Sequence, residues 1–172
     1  MRMTEVLTAF GPLVCERTRL VILGSFPGVA SLKAHQYYGH PQNHFWRIFE
    51  AIWPFSASPA GISSYKIRST ALLEAGLGLW DVYASCERTG SLDSQIRQPV
   101  LNDLQSLRQI CPQLQAIAHN GGESFKHSKH TKALGVPVYR LPSTSPANAS
   151  WSFERKLSAW REVFDKHGLI TD

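Results

Sequence analysis

The stretch of the chain richest in side chains that could bind a ligand or take part in a reaction is GSFPGVASLKAHQYYGHPQNHFW, residues 24–46. It combines glycine-proline turns, paired tyrosines, three histidines and an asparagine. It follows a short apolar run, RLVILGS (19–25), typical of a buried strand. A connection between a strand and a helix usually takes about 2–6 residues. The connection of about seventeen residues found here therefore indicates a functional loop. Its first turn either serves only as a turn or lets backbone N–H groups approach a ligand closely.

The elements that must position this loop follow from the apolar periodicity. Apolar residues with helical spacing, Phe45, Ile48, Phe49 and Ile52, predict an amphipathic helix that opens near Asn43 and is broken by WPFSASPAG (53–61). Three further strands are expected at LGLWDVY (77–83), LQAIAHN (114–120) and VPVYRLP (136–142). Further helices are expected over 65–74, 101–110 and 121–134, with a last one carrying Phe153, Leu157, Trp160 and Phe164.

Strands that alternate with helices predict an α/β fold, a three-layer α/β/α sandwich with a four-stranded parallel sheet, in a single domain spanning residues 1–172. In such sheets ligands bind beyond the carboxyl ends of the strands. The segments that begin at Ser25, Asp81, Asn120 and Pro142 all fall there. We therefore expect the polar residues of the chain to gather on one edge of the sheet.

Composition narrows the class of protein. Of the 172 residues, 43% are hydrophobic and 18% charged, which is typical of a globular domain. The three cysteines, Cys15, Cys86 and Cys111, fit neither a disulfide framework nor a zinc site, and no apolar run is long enough for a membrane span. We expect a cytoplasmic protein that does not span a membrane. The net charge of +5 is mildly favourable for polyanions.

A second segment rich in polar residues is LPSTSPANAS (141–150). It either caps the last helix or forms a hydroxyl-rich site for a phosphate diester.

His35, His40 and His44 lack carboxylate partners at metal-ligand spacing, so no metal is expected; His119, His127 and His130 are expected on a solvated helix. GxxxxGKS, GxGxxG and GxSxG are absent, which argues against a nucleotide triphosphatase, a dinucleotide-binding enzyme and an α/β-hydrolase.

Taken in order, these motifs resemble the uracil-DNA glycosylase superfamily, and most closely its hypoxanthine-DNA glycosylase branch. The resemblance rests on GSFPG, YYGHPQNHFW, LWDVYASCERTGSLDS, HNGG and LPSTSPAN, which together span nearly the whole chain. It implies a monofunctional DNA glycosylase that flips a deaminated base out of DNA and hydrolyses its glycosidic bond without a cofactor. Hypoxanthine is the expected substrate, with uracil and xanthine as alternatives.

The resemblance also implies roles for individual residues. An asparagine that holds the attacking water in the mismatch-specific branch is replaced here by Phe26, and in the hypoxanthine branch the role passes to Asn43. Leu141 stands where other branches have a histidine that stabilises the leaving base, which removes one donor worth roughly 3–4 kcal/mol. The base-binding residues implied, with Phe45 stacking on the base and Asn120 reading its edge, are Gly24, Ser25, Phe26, Tyr38, Phe45, Asp81 and Asn120; the DNA-binding residues are Pro142, Ser143, Thr144, Ser145 and Asn148.

Two other functions are compatible with the sequence. One is a catalytically silent module that binds DNA containing a deaminated base. The other is a nucleoside hydrolase on a similar sheet, which would act on free nucleosides. A monomer is expected, since a base-flipping enzyme that slides along DNA needs no partner subunit.

Overall fold

The computed structural model describes residues 5–55 and 64–171. At its centre lies a four-stranded parallel sheet with the strand order β3-β2-β6-β7. The strands are β2 (Leu20–Gly24), β3 (Leu77–Asp81), β6 (Ala116–Asn120) and β7 (Val138–Leu141). The four strands expected from the sequence are therefore confirmed.

The sheet is apolar on both faces, as a parallel sheet between helices requires. Alternate residues of β2 point into different cores: Leu20 and Ile22 into one, Val21 and Leu23 into the other. The first core includes Phe45, Phe49, Trp160 and Phe164 from the helices α2 (Phe45–Ile52) and α7 (Phe153–Lys166). The second includes Leu104, Leu107 and Leu134. The expected three-layer α/β/α arrangement is thus confirmed.

The remaining helices are shorter than the sequence pattern indicated, with the exception of α3 (Ser64–Glu74). The expected helix over 101–110 is a 3₁₀ turn, Leu104–Ser106, that continues into α4 (Leu107–Ile110). The expected helix over 121–134 is split into α5 (Gly122–Phe125) and α6 (Ser128–Lys132). The long loop after β2 is not continuous either, because α1 (Val29–Ala34) lies inside it. Helix α2 ends at Ile52 as expected, but most of the WPFSASPAG segment lies outside the described residues.

A second, three-stranded antiparallel sheet was not predicted. It has the order β1-β4-β5 and consists of β1 (Val6–Thr8), β4 (Tyr83–Glu87) and β5 (Arg97–Leu101), with a 3₁₀ turn at Asp93–Gln95 before β5. Every residue of β5 is exposed and Pro99 interrupts its pairing, so the strand lacks the apolar alternation that marks a half-buried strand. Leu101, taken as the start of a helix, instead pairs with Tyr83.

The parallel register brings the functional segments to one edge of the sheet. Gly24 at the end of β2 pairs with Asp81 at the end of β3, and Asn120 at the end of β6 pairs with Leu141 at the end of β7. The expected gathering of polar residues at the carboxyl ends is confirmed. Within the two described ranges, no helix is both long and apolar enough to cross a membrane.

Candidate active site

An open cleft of about 1390 Å³ lies at the carboxyl edge of the parallel sheet. It is bordered by nearly all of the residues assigned to the site from the sequence: Gly24, Ser25, Phe26, Tyr38, Asn43, Asp81, Asn120, Pro142, Ser143, Thr144, Ser145 and Asn148. Phe45 does not border it. Phe26 touches the cleft, but its ring is buried in the second core beneath the Arg88 guanidinium, 5.2 Å from the ring centre.

Tyr38 takes the place in the cleft that was expected for Phe45. Phe45 is only 2% exposed, and the Tyr38 ring stacks on it with ring centres 4.3 Å apart and planes inclined by 27°. The backbone of Tyr38 has φ +54°, a left-handed conformation that is uncommon outside glycine, asparagine and aspartate. Of these two rings, Tyr38 is therefore the one that borders the cleft, with Phe45 packed behind it.

Asn120, the last residue of β6, joins the loops after β2 and β7 through its amide. Its Nδ2 donates to the Tyr38 hydroxyl (3.1 Å) and to Thr144 Oγ1 (2.9 Å), and its Oδ1 accepts from the Thr144 backbone N–H (3.0 Å). The Thr144 carbonyl in turn accepts from the backbone N–H of His44 (2.9 Å), next to the start of α2. We call these bonds the Asn120 clasp. Both amide hydrogens of Asn120 are engaged in it, so donating to a base edge, one part of the role expected for this residue, would require the clasp to open, whereas Oδ1 keeps a second lone pair that can accept.

The hydroxyl groups of the loop after β7 differ in how deeply they are buried. Thr144 is only 1% exposed and belongs to the clasp. Ser143 and Ser145 are half-buried, and their Oγ atoms accept backbone N–H groups of Ser145 and Ala147 at 3.2 Å each. Their hydroxyl hydrogens remain available to donate. Gly121 allows the loop to approach β6, because its φ is +93° and a side chain there would meet Ser143 Cβ at 3.0 Å.

The GSFPG turn is held by residues 88–93, a contribution that the sequence had not revealed. Arg88 Nη2 donates to the carbonyl of Pro27 (2.5 Å). The Ser91 hydroxyl accepts the backbone N–H of Val29 (2.9 Å), and Ser25 Oγ donates to Asp93 Oδ1 (2.6 Å). ERTGSLDS stood out as part of a motif, but only the folded chain shows that it braces the turn.

Asn43 lies at the entrance of α2 and is half-buried. Its Oδ1 accepts the backbone N–H of Phe45 (2.9 Å), as an asparagine at a helix start commonly does. An amide oxygen has a second lone pair and the amide nitrogen has two hydrogens, so this bond fixes the side chain without exhausting it. Capping the start of α2 and holding a water molecule are therefore compatible roles for Asn43.

Asp81 is a titratable group whose acidity is strongly altered by burial beside the cleft. Its side chain is only 4% exposed, and among the described residues Oδ2 has no hydrogen-bond partner. Burial raises the pKa of Asp81 to about 7; the negative charge of Asp93 contributes to the increase and the Arg88 guanidinium opposes it. Near neutral pH a large fraction of this carboxyl is therefore protonated.

The histidines lie in different surroundings. In the described ranges, no three His, Cys, Asp or Glu side chains are grouped so that they could hold a metal ion. The expectation that His119 lies on a solvated helix is wrong, because it is fully buried on β6. There its ring nitrogens contact the hydroxyls of Ser124 and Thr131 at 2.8 Å each, and burial lowers its pKa to about 4.

Comparison with known proteins agrees with the motifs and the geometry. The family model described as the uracil DNA glycosylase superfamily matches residues 12–164. The chain belongs to this superfamily. The predicted membership, and with it the expected class of enzyme, a DNA glycosylase acting on DNA, is confirmed.

Two relatives and one solved structure are similar over almost their whole length. A protein named hypoxanthine DNA glycosylase from Methanosarcina barkeri is 35% identical over 157 residues, which cover 91% of this chain and 97% of that protein. Its counterpart of the same name from Methanosarcina acetivorans is 35% identical over 156 residues, covering 90% and 96%. A solution NMR structure of a candidate uracil DNA glycosylase from M. acetivorans superposes with a TM-score of 0.80 at 32% identity, covering 93% of this chain and 97% of that one.

The buried carboxyl of Asp81 should make stability depend on pH. Its pKa is about 7 in the folded protein against an ordinary value of 3.8, so between these values the folded protein holds a proton that the unfolded chain has lost. The contribution of Asp81 to the free energy of unfolding should therefore fall as pH rises from about 4 to about 7, by at most about 1.4 kcal/mol per pH unit, and then level off. Urea unfolding of the parent and Asp81→Asn at pH 5 and pH 8 measures this.

The variant should gain stability relative to the parent on going from pH 5 to pH 8. Titration of His119 is common to both proteins and cancels in the difference. Asp103→Asn, which alters an exposed carboxylate outside the cleft, is the matched control and should give the same difference at both pH values. A pH-independent difference for Asp81→Asn would show that this carboxyl is ionised as usual.

Proposed function

We propose that the protein is a monofunctional DNA glycosylase that flips a deaminated nucleotide out of DNA and hydrolyses its glycosidic bond, with hypoxanthine as the preferred base over uracil and xanthine. The observation that carries the proposal is the convergence of Gly24, Tyr38, Asn43 and Asp81 on one cleft. The names of the two Methanosarcina relatives support the choice of hypoxanthine. The protein acts as a monomer in the cytoplasm, on nucleoid DNA, without a metal or another cofactor.

The inner end of the cleft suits a planar base. Tyr38 offers an aromatic surface, and aromatic stacking on a base contributes about 1–3 kcal/mol. Gly24 presents bare backbone beside it, since a Cβ at this position would lie 2.6 Å from Asp81 Oδ1 and 3.3 Å from the Tyr38 hydroxyl. Any larger residue at position 24 would fill the space that a base needs. Ser25 and Asn120 support this end of the cleft through their bonds to Asp93 and Tyr38.

Asn43 holds the attacking water in this proposal. Its side chain borders the cleft and is fixed by the bond to the Phe45 N–H. An amide can orient a water molecule toward the sugar, whereas Phe26 cannot do so by hydrogen bonds. Residues 34–46 contain no lysine that could form a Schiff base. Lys166 borders the cleft, but its ammonium lies over the Tyr139 ring, 5.6 Å from the ring centre. Hydrolysis by water is therefore proposed rather than strand cleavage.

The loop after β7 contacts the DNA backbone. Ser143 and Ser145 keep hydroxyl hydrogens that can donate to phosphate oxygens, and Asn148 stiffens the loop by donating from Nδ2 to the Ser143 carbonyl (3.1 Å). Pro142 is fixed through its carbonyl, which accepts from Trp160 Nε1 (3.0 Å). Exposed Arg140 next to this loop supplies positive charge.

Duplex oligonucleotides that each contain one deoxyinosine, deoxyuridine or deoxyxanthosine test the proposal. After incubation, alkali should cleave the deoxyinosine strand at the modified position most rapidly, while untreated strands stay intact. Free nucleosides should be left unchanged and prolonged EDTA treatment should not alter the rate. Binding without release of base would instead support a silent DNA-binding module, and release from free inosine would support a nucleoside hydrolase. Strand nicking without alkali, with a borohydride-trapped adduct, would contradict hydrolysis by water.

Replacing Asn43 should separate catalysis from helix capping. Asn43→Ala should lower single-turnover excision at least about 100-fold, because the water loses its position, and should also cost about 0.5–2 kcal/mol of stability. Asn43→Ser is the matched variant: its hydroxyl can still cap α2 but is too short to hold the same water. We expect Ser to restore stability in thermal unfolding without restoring the rate. Excision at the parent rate by either variant would assign the water to another residue.

Substituting both Ser143 and Ser145 by Ala should weaken binding to all DNA sequences about equally, because phosphate contacts carry no base information. Binding of parent and variant, measured by fluorescence anisotropy over a range of salt concentrations, should weaken as salt rises in both. Ser158→Ala, an exposed serine of α7 that does not border the cleft, is the control. Equal affinity of the double variant and the parent would refute the proposed contact.

A further inference from the structure

The inner end of the cleft holds one acidic side chain that the hydrolysis described above leaves unused. Asp81 is nearly fully buried, it borders the cleft, and its Oδ2 has no hydrogen-bond partner within the described residues. A buried polar group without a partner is costly, and such groups are rare in folded proteins. Because Oδ2 is itself shielded from solvent, the carboxyl limits this cost by keeping its proton, since a neutral group is less costly to bury than a charge.

The backbone fixes the direction of this carboxyl. Asp81 is the last residue of β3, paired in register with Gly24, and its carbonyl accepts from Asn102 Nδ2 (2.8 Å). Oδ1 lies so close to Gly24 that only glycine fits there. Asp81 and the Tyr38 hydroxyl thus face the same small space beside the Gly24 backbone, where the proposed function seats the base.

The charges around Asp81 favour its neutral form. Loss of water is the main reason that its pKa rises to about 7, and Asp93 raises it further, with Arg88 as the opposing positive charge. Tyr37 and Tyr38, which face it from the long loop, have pKa values raised chiefly by burial and stay uncharged at neutral pH. The carboxyl therefore carries a transferable proton over much of the pH range below 7.

Several other polar groups at this end of the cleft have their hydrogens engaged within the protein. Both amide hydrogens of Asn120 are bonded within the clasp, and the Ser25 hydroxyl donates to Asp93. At the end of β7 the side chain is Leu141, which cannot donate. When a glycosidic bond breaks, the electron pair stays on the departing base, whose negative charge must be stabilised. The Tyr38 hydroxyl accepts from Asn120 and keeps its own hydrogen, but burial raises the pKa of Tyr38, so Asp81 is the stronger acid facing this space.

We propose that protonated Asp81 is the general acid that transfers its proton to the departing base, at N7 of hypoxanthine. The inference rests on the proposed function. The bond between C1′ and N9 breaks with its electron pair going to the base, the Asp81 proton goes to N7, and the base leaves as a neutral purine. Water adds to C1′ and loses one proton to solvent, and the Asp81 carboxylate is reprotonated from solvent. The net reaction adds one water across the glycosidic bond.

The test is the pH dependence of excision from a duplex with one deoxyinosine, measured under single-turnover conditions with saturating protein between pH 5 and pH 9. The parent rate should fall above about pH 7, approaching tenfold per pH unit, as the acid form disappears. Asp81→Asn keeps the shape of the side chain but has no acidic proton. Its rate at pH 6 should be about 10²–10⁴-fold below that of the parent and should show no decline above pH 7.

Two controls make the result decisive. Asp103→Asn should reproduce the parent profile, and thermal unfolding together with DNA affinity should show that Asp81→Asn is folded and binds. A parent rate that is constant or rises through pH 7, or a decline that persists in Asp81→Asn, would overturn the role of Asp81 while leaving the glycosylase activity in place. A parent that releases no base at any pH would instead contradict the proposed function.

Discussion

The site depends first on the Asn120 clasp. Four segments leave the carboxyl edge of the sheet separately, and nothing in their local sequence holds them together. The amide of Asn120 joins the loop after β2, through Tyr38, to the loop after β7, through Thr144. The Thr144 carbonyl in turn accepts from the backbone N–H of His44, next to the start of α2. A half-buried amide with all of these partners is worth more than isolated contacts on the surface, because each lost partner leaves a polar group unsatisfied.

The clasp holds the Tyr38 ring in position at the cleft. Tyr38 adopts an unfavourable left-handed backbone conformation, which persists only where the surroundings determine it. Two contacts hold Tyr38 in this conformation: its ring stacks on Phe45, and its hydroxyl accepts a hydrogen bond from Asn120. The cleft also keeps a buried carboxyl at Asp81, at a cost in stability above neutral pH. Strain and an unpaired buried group are features that functional sites commonly retain.

The parallel sheet and the position of the cleft could be predicted from the sequence. The parallel strands are short apolar runs, and the carboxyl edge of such a sheet is where ligands bind. The exchange of Phe45 and Tyr38 could also have been foreseen. Phe45 opens the apolar face that continues through Ile48, Phe49 and Ile52, so the helical period itself places its ring in the core.

Other features depend on contacts between distant residues, which local patterns do not reveal. Asn120 is 82 residues from Tyr38 in the chain and 24 from Thr144, so nothing near it in sequence shows that its amide is occupied. The antiparallel sheet escaped prediction because β5 is exposed along its whole length. The fully buried position of His119 depends on Ser124 and Thr131, which reach it only after α5 and α6 have folded onto β6.

A crystal structure with duplex DNA containing the 2′-fluoroarabino analogue of deoxyinosine, whose glycosidic bond resists hydrolysis, tests the central claim most directly. We expect the hypoxanthine to lie outside the helix against Tyr38, with Asp81 in hydrogen-bond contact with the base and the bonds from Asn120 to Tyr38 and Thr144 intact. A base that remains stacked in the duplex, or one that displaces Tyr38 and binds to the amide of Asn120, would contradict this account of the site.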